Sequence, residues 1–311
     1  MYEWKLDQIF LPAVYRNIIR TGTYTYNRVK DRVAQGKNET NRDLFDILME
    51  AQDHKHGLKY RTKDLWIESM LLLTAGMYLN SSLMPYLVDR NNKTTGADTT
   101  STTMSAAIFY LLHNQAALTR AISEVRSTFK TADEIQRITQ INYCKFLQAC
   151  INEALRLAPA VPLASLRSVE KGGLTLVDGQ YIPEGTIVGT SLYTMQRNPE
   201  YFYQPNSFRP ERWLVDPDTG VSEESVNRGH QAFAPFGIGP RKCVGWRLGW
   251  LELNVMLART LFLYDLRLAP GVSCCSGRGP GQDCEYSTKA WSVMAGEAPV
   301  VQFRGASEGA Y

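Results

Sequence analysis

The segment APFGIGPRKCVG at residues 234–245 limits what this chain can fold into more than any other stretch. Its glycines allow tight turns and let the backbone approach a flat ligand closely. The apolar run that follows predicts a helix over 244–263. Cys243 then lies at the start of a helix beside Arg241 and Lys242, and both surroundings lower the pKa of a thiol. We therefore expect a thiolate, which is either a nucleophile or a metal ligand.

The fixed positions of this segment read Phe236-x-x-Gly239-x-Arg241-x-Cys243-x-Gly245. The plainer alternative is a glycine-rich turn with an incidental cysteine, but this many fixed positions in so short a stretch argue against chance. A zinc site or a cysteine–histidine pair is also disfavoured, because no histidine stands at ligand spacing from the cysteine. The four histidines are His54, His56, His113 and His230.

Composition allows a sizeable core and excludes few classes of function. The 311 residues are 44% hydrophobic and 21% charged, which suits one large domain or two average ones. The net charge of +3 gives no indication of a nucleic-acid partner. The six cysteines form no paired CxxC array, and we expect them to be reduced thiols. A disulfide within the loop that holds Cys274, Cys275 and Cys284 is the less favoured alternative. The N-terminus has no signal-peptide pattern, and Pro85 breaks the longest uncharged run, so no membrane-spanning helix is expected.

Apolar periodicity predicts a mainly helical chain with a small β region late in the sequence. Helices are predicted at 41–53, at 114–129 and at 141–157, the last ending before Pro159. The Asp178-Gly179 pair within LTLVDGQYIP predicts a β-hairpin.

Two separate segments offer a carboxylate and two guanidinium groups that can meet. Glu153 and Arg156 stand three residues apart and share one helix face. Arg212, in FRPERW, is a candidate third partner. Together they would form a buried ion-pair network that joins distant segments. The alternative is a solvated surface pair and a polar loop, which would contribute little stability.

The segment GADTTST at 96–102 places an acid and a hydroxyl, Asp98 and Thr99, next to an apolar helical run. Both are poor helix formers, so a position inside a helix needs a reason. A local bulge with both groups beside it would make a proton path. The residues alone favour the simpler interpretation, in which one of them caps the N-terminus of the helix.

Taken in order, these four patterns resemble the cytochrome P450 family. The cysteine segment matches that family's haem-binding signature at every fixed position. The resemblance covers residues 40–268 well and 1–40 loosely. It implies the cytochrome P450 fold, mainly α with a small β region, of which this chain is the C-terminal portion. The overall sequence pattern is similar to that of fungal, microsomal-type members that act on secondary metabolites.

The resemblance implies haem b as the cofactor, with Cys243 as the axial thiolate ligand of its iron. Arg241 and, by its position, Arg167 would bind the haem propionates, and Phe236 would pack beside the thiolate. The implied cofactor-binding residues are Cys243, Arg241, Phe236, Gly237, Gly245 and Arg167.

The other three patterns also match features of the family. Glu153, Arg156 and Arg212 match its structural triad. Asp98 and Thr99 match its catalytic acid–alcohol pair, which delivers protons to bound dioxygen.

The implied reaction inserts one atom of dioxygen into a lipophilic small molecule. Electrons would come from NADPH through a separate cytochrome P450 reductase, docked by basic residues beside Cys243. Apolar residues assigned near the haem by resemblance, Ala97, Val161 and Leu163, suggest the lipophilic substrate. The full-length parent would stand on the cytosolic face of the endoplasmic reticulum membrane, and we expect no anchor within this chain.

Compared with the family, the chain is short at its N-terminus, so we expect an N-terminally truncated, single partial domain over 1–311. Residues 1–60 would form the helices that precede the central helix, and 62–113 the central oxygen-binding helix. Residues 114–268 would form the haem-binding core, and 268–311 an irregular C-terminal region that ends in short strands.

The central helix is interrupted by residues 76–95. Removing them joins Ala75 to Gly96 and restores an uninterrupted family motif. The interrupting stretch holds Pro85 and a polar run, so it should not continue the helix. We expect a retained intron, and the rival hypothesis is a real, looped-out insertion.

Two alternatives to the monooxygenase stay open at this point. One is a catalytically silent, truncated remnant or a mis-spliced gene product of the same family. The other is a thiolate-haem isomerase or peroxide-using enzyme that needs no reductase. The presence of Asp98 and Thr99 disfavours the second, because such enzymes tend to lose that pair.

Overall fold

The computed structural model describes residues 12–36, 43–52, 57–76, 95–136, 141–162, 166–270, 284–290, 294–296 and 299–306. The chain divides into two compact units, 1–97 and 98–311. The described helices are α1 (Pro12–Gln35), α2 (Leu44–Glu50), α3 (Thr62–Gly76), α4 (Thr95–Leu112), α5 (Gln115–Thr128), α6 (Lys145–Leu157), α7 (Leu192–Met195), α8 (Glu223–Gln231) and α9 (Trp246–Leu263). Short 3₁₀ turns lie at Ala132–Glu134, Pro210–Trp213 and Gly239–Arg241.

In the first unit, α1 packs along α3. The Trp66 indole Nε1 donates to the Gly22 carbonyl at 3.1 Å, and its ring meets Tyr26 edge-on. Arg32 Nη2 reaches the buried carboxylate of Asp46, at the start of α2, at 2.8 Å. These contacts tie the three helices of the unit to one another.

In the second unit, α5, α6 and α9 pack on one another and share one hydrophobic core with α4. Completely buried residues come from each helix, such as Ala106, Ala121, Leu147 and Leu257. Helical spacing accounts for this, because apolar residues three or four apart present one stripe to the core. The buried residues of α9 begin at Leu253, so the core holds the later turns of the helix that follows the cysteine segment.

The described strands form small antiparallel pairs. They are β1 (Arg167–Ser168) with β4 (Ile187–Val188), β2 (Leu174–Thr175) with β3 (Tyr181–Ile182), β5 (Tyr264–Leu268) with β8 (Val301–Gly305), and β6 (Thr288–Ala290) with β7 (Met294–Gly296). The predicted hairpin is confirmed as β2–β3, and its turn residue Gly179 has a φ of 88°. This left-handed conformation suits glycine, which has no Cβ.

The prediction of a mainly helical chain with a small β region is confirmed. The helix predicted at 141–157 is described as α6, beginning at Lys145. The described helices include none that is long and apolar enough to cross a bilayer. The prediction of reduced thiols is wrong for Cys284, which is disulfide-bonded. Composition could not show this, because a disulfide depends on which sulfurs the fold brings together.

The predicted insertion at 76–95 stays a prediction. Helix α3 ends at Gly76 and α4 begins at Thr95. Residues 77–94 between them lie outside the described residues.

Candidate functional site

The cysteine segment is a tight loop that leads directly into α9. Gly237 and Gly239 have φ values of 72° and 71°, a conformation that glycine adopts without steric cost. The backbone N–H of Cys243 donates to the Phe236 carbonyl at 2.8 Å and closes the loop. Gly245 is the residue before the first turn of α9, so the cysteine stands at the N-terminal end of that helix, as predicted.

Cys243 is exposed, which separates it from the other free cysteines of the described chain. Cys144 and Cys150 are buried, and burial raises the pKa of Cys144 to about 11 and that of Cys150 well above its usual value. A Cβ at position 245 would stand 3.9 Å from the Cys243 Sγ, so glycine leaves space beside the sulfur. Of these thiols, Cys243 is the one open to an external ligand.

The surroundings of Cys243 combine cations with exposed apolar side chains. Lys242 Nζ lies 4.0 Å from the centre of the Trp246 ring, and Arg241 is exposed on the preceding 3₁₀ turn. Ile238 and Val244 flank the cysteine and are 80% and 78% exposed. Apolar side chains gathered on a surface are typical of a ligand face. A soft sulfur donor, a nearby cation and an apolar surface together fit a haem with acidic side groups.

Arg167 lies on β1 and is exposed, with its Nη1 donating to the Leu166 carbonyl at 2.8 Å. Over the described ranges, no hydrogen bond joins it to the cysteine segment, so its predicted role rests on the resemblance. Val161 is 43% exposed. Leu163 and the side chain of Ala97 lie outside the described part of the chain.

Asp98 and Thr99 lie inside α4, which begins at Thr95. The interpretation of either residue as a simple N-cap is therefore wrong, because the helix starts before them. Thr99 is half-buried, and its carbonyl accepts a hydrogen bond of 2.9 Å from the Thr103 hydroxyl. The side chain of Asp98 lies outside the description.

The carboxylate of Glu153 on α6 is the centre of a buried hydrogen-bond network in the second unit. Glu153 and Arg156 are both fully buried, which excludes a solvated surface pair. Arg156 donates to both carboxylate oxygens, from Nη2 at 2.8 Å and from Nε at 2.9 Å. Arg212 Nε adds a third bond at 3.0 Å from the 3₁₀ turn Pro210–Trp213. The structure thus brings the three predicted residues into one network.

Further groups complete this network. Glu153 also accepts from the Trp213 indole Nε1 at 2.9 Å and from the Arg209 backbone N–H at 2.9 Å. Arg156 Nη1 donates to the Gln196 and Pro205 carbonyls at 2.7 and 2.6 Å, and Nη2 to the Ser207 carbonyl at 3.2 Å. Every N–H of the Arg156 guanidinium therefore has an acceptor. The buried charges are paired and hydrogen-bonded, as an apolar interior requires.

The pKa of Glu153 reflects this balance. Burial alone would raise it, but the charge and hydrogen bonds of Arg156 and the charge of Arg212 outweigh burial. The net effect lowers the pKa below its usual 4.5, so the carboxylate stays ionised. Burial lowers the pKa of Arg212 despite the opposing effect of Glu153, although an arginine remains charged.

Trp213 and Gln196 were not predicted from the sequence. Trp213 directly follows Arg212, so its position in FRPERW was an available signal, since a buried indole N–H needs an acceptor. Gln196 has no such signal, because nothing local distinguishes it from a surface glutamine. Its burial comes from the chain segments that the fold places around it.

Comparison with known proteins gives consistent matches. A family model described as cytochrome P450 matches residues 92–277, more than half of the chain. The chain is 33% identical to cytochrome P450 monooxygenase atnE of Emericella nidulans, over 96% of this chain and 53% of that protein. It is 32% identical to cytochrome P450 monooxygenase lcsN of Purpureocillium lilacinum, over 96% of this chain and 81% of that protein.

The fold is similar to that of a solved structure in the same family. A crystal structure of a cytochrome P450 (CYP102L1) superposes with a TM-score of 0.65 at 19% identity, covering 92% of this chain and 55% of that chain. The chain spans about half the length of several curated relatives that it matches. Three findings agree: the match of the family model, the sequence identity with curated relatives and the shared fold. This chain belongs to the cytochrome P450 family.

Proposed function

We propose that this protein is a haem-thiolate monooxygenase that inserts one atom of dioxygen into a lipophilic small molecule. The observation that carries the proposal is the exposed Cys243 thiol, held at the start of α9 by the bond to the Phe236 carbonyl. Electrons from an NADPH-dependent reductase, an endoplasmic reticulum setting and a substrate of fungal secondary metabolism follow from the resemblance and are part of the same proposal.

In this proposal Cys243 would hold haem b through its sulfur, and Arg241 would pair with an acidic side group of the cofactor. Thiolate-bound haem supplies the activation of dioxygen for insertion into an unactivated bond. The loop supports this role because its left-handed glycines and the Phe236 carbonyl fix the cysteine backbone. Phe236 also packs against the core, so the position of the sulfur is tied to the interior of the unit.

The Glu153 network would hold the segment that leads toward the cysteine loop. It joins α6 to carbonyls at 196, 205 and 207 and to the 3₁₀ turn at Pro210–Trp213. Asp98 and Thr99 would hold and pass protons within the site. Their position within α4, and not before it, supports this assignment over a capping role.

The test is the reduced carbon monoxide difference spectrum of the purified chain after incubation with haem. We expect the band of a thiolate-bound haem from the wild type and from C144A, which removes a buried thiol. C243A should lose that band, since it removes the sulfur donor. An unchanged band in C243A would exclude Cys243 as the ligand. A folded wild type without any such band would favour the catalytically silent alternative.

A further inference from the structure

The C-terminal end of α6, the helix that carries Glu153 and Arg156, is buried and has no cap from a neighbouring side chain. The last carbonyl groups of a helix have no partner within it. Leu155, Arg156 and Leu157 are each at most 4% exposed, so water cannot readily donate hydrogen bonds to their carbonyls. The next residue is Ala158, not the glycine that often ends a helix, and its N–H bonds the earlier carbonyl of Ala154.

Two side chains from a distant segment donate hydrogen bonds to these carbonyls. Gln196 Nε2 donates to the Leu155 and Arg156 carbonyls at 3.2 and 3.0 Å. Arg197 Nη2 donates to the Leu157 carbonyl at 2.5 Å. A cation is favourable at this end of a helix because the partial charge there is negative. The segment that follows α7 therefore caps α6 from outside.

Gln196 also holds the Arg156 side chain. Its backbone carbonyl accepts the 2.7 Å bond from Arg156 Nη1, while its amide donates to the Arg156 carbonyl. One residue thus fixes both the guanidinium and the backbone of the same arginine. Gln196 is fully buried, and its own backbone N–H donates to the carbonyl of Leu192, the first residue of α7.

The contacts of the Gln196 amide are unequal. Its Nε2 makes two bonds, whereas its Oε1 is buried with no hydrogen-bond partner among the described residues. Leaving a buried acceptor unpaired is unfavourable, and the two bonds that Nε2 donates offset this cost. The Nε2 donor is therefore the part of the side chain that contacts α6.

We propose that Gln196 is a positioning residue of the site: it sets the geometry of Arg156, and through it that of the whole Glu153 network. Its effect on the haem site rests on the proposed function. Its effect on the network does not, because every contact in the argument belongs to this chain.

The Trp213 indole N–H reports this geometry directly, because it donates to the Glu153 Oε2. In Q196M, which keeps the length and removes both donors, we expect the Trp213 N–H proton resonance to move upfield. Its solvent exchange should accelerate about tenfold, as the loss of one or two hydrogen bonds implies. W213F assigns the resonance. Q231M, the same substitution at an exposed position on α8, should leave it unchanged.

Q196N provides a second variant in case Q196M does not fold, since it retains an amide that is one methylene shorter. We expect a smaller shift in the same direction. A folded Q196M or Q196N with the wild-type Trp213 resonance and exchange rate would overturn the proposal. A wild type that gives no thiolate band while Q196M still moves the Trp213 signal would count against the proposed function and support this inference.

Discussion

Glu153 accepts five hydrogen bonds in a fully buried position, so its substitution should be among the most damaging single changes. In E153Q the amide group would face Arg156 and Arg212 without a charge to balance theirs. Breaking a buried ion pair in this way destabilises by about 3–5 kcal/mol. Denaturant unfolding measures the loss, and E224Q is the control, because Glu224 is 82% exposed and pairs with Arg228 at the surface.

The same variant should show a defined pH dependence. Because folding lowers the pKa of Glu153, its contribution is fully present above the usual value of 4.5 and is lost as pH falls through the lower folded value. The difference in unfolding free energy between wild type and E153Q should therefore be constant at neutral pH and shrink in acid. A difference that grows on acidification would contradict this account of the network.

At the scale of the element, the N-terminal end of α6 is capped by a side chain from α5. The N-cap residue Cys144 makes no side-chain cap hydrogen bond. Instead, the two oxygens of Glu124 on α5 accept from the backbone N–H groups of Phe146 and Leu147, each at 2.8 Å. Helix N-termini favour negative charge, so a carboxylate suits this position. Helix α6 is thus held at both ends by side chains from other parts of the fold.

E124Q should destabilise the second unit by about 0.5–2 kcal/mol, the range measured for loss of an N-cap. The amide has one acceptor oxygen in place of two and lacks the charge. Thermal unfolding followed by circular dichroism gives the measurement. E134Q is a matched control, because Glu134 accepts a single local N–H, from Lys130. Equal shifts in the two variants would show that the contact with α6 is unimportant.

For the whole molecule, the question is whether the messenger RNA contains the codons for residues 76–95. We predict that the transcript joins the codons of Ala75 and Gly96, because the residues on either side then form one helical motif. Sequencing the message through codons 70–100 tests this. A message that keeps codons 76–95 would contradict the retained-intron hypothesis and favour a real insertion.

The residues that the proposed function uses lie in the second of the two compact units. The described contacts of Cys243, Glu153 and Gln196 all belong to residues 98–311. Asp98 and Thr99 begin that unit, directly after the boundary at Ala97. The folding and haem-binding measurements above therefore concern mainly the second unit.

Local sequence by itself determined the cysteine loop, the helical class, the β2–β3 hairpin and the membership of the family, because each depends on residue types at short, fixed spacing. Glycines with positive φ, a cysteine before an apolar run and an Asp-Gly turn act through neighbours in the chain. Only the tertiary structure decided that Glu153 is fully buried, that Trp213 and Gln196 complete its network and that Cys284 is disulfide-bonded. The Glu153 network joins segments 40 or more residues apart in the chain, and no local pattern records which of them meet.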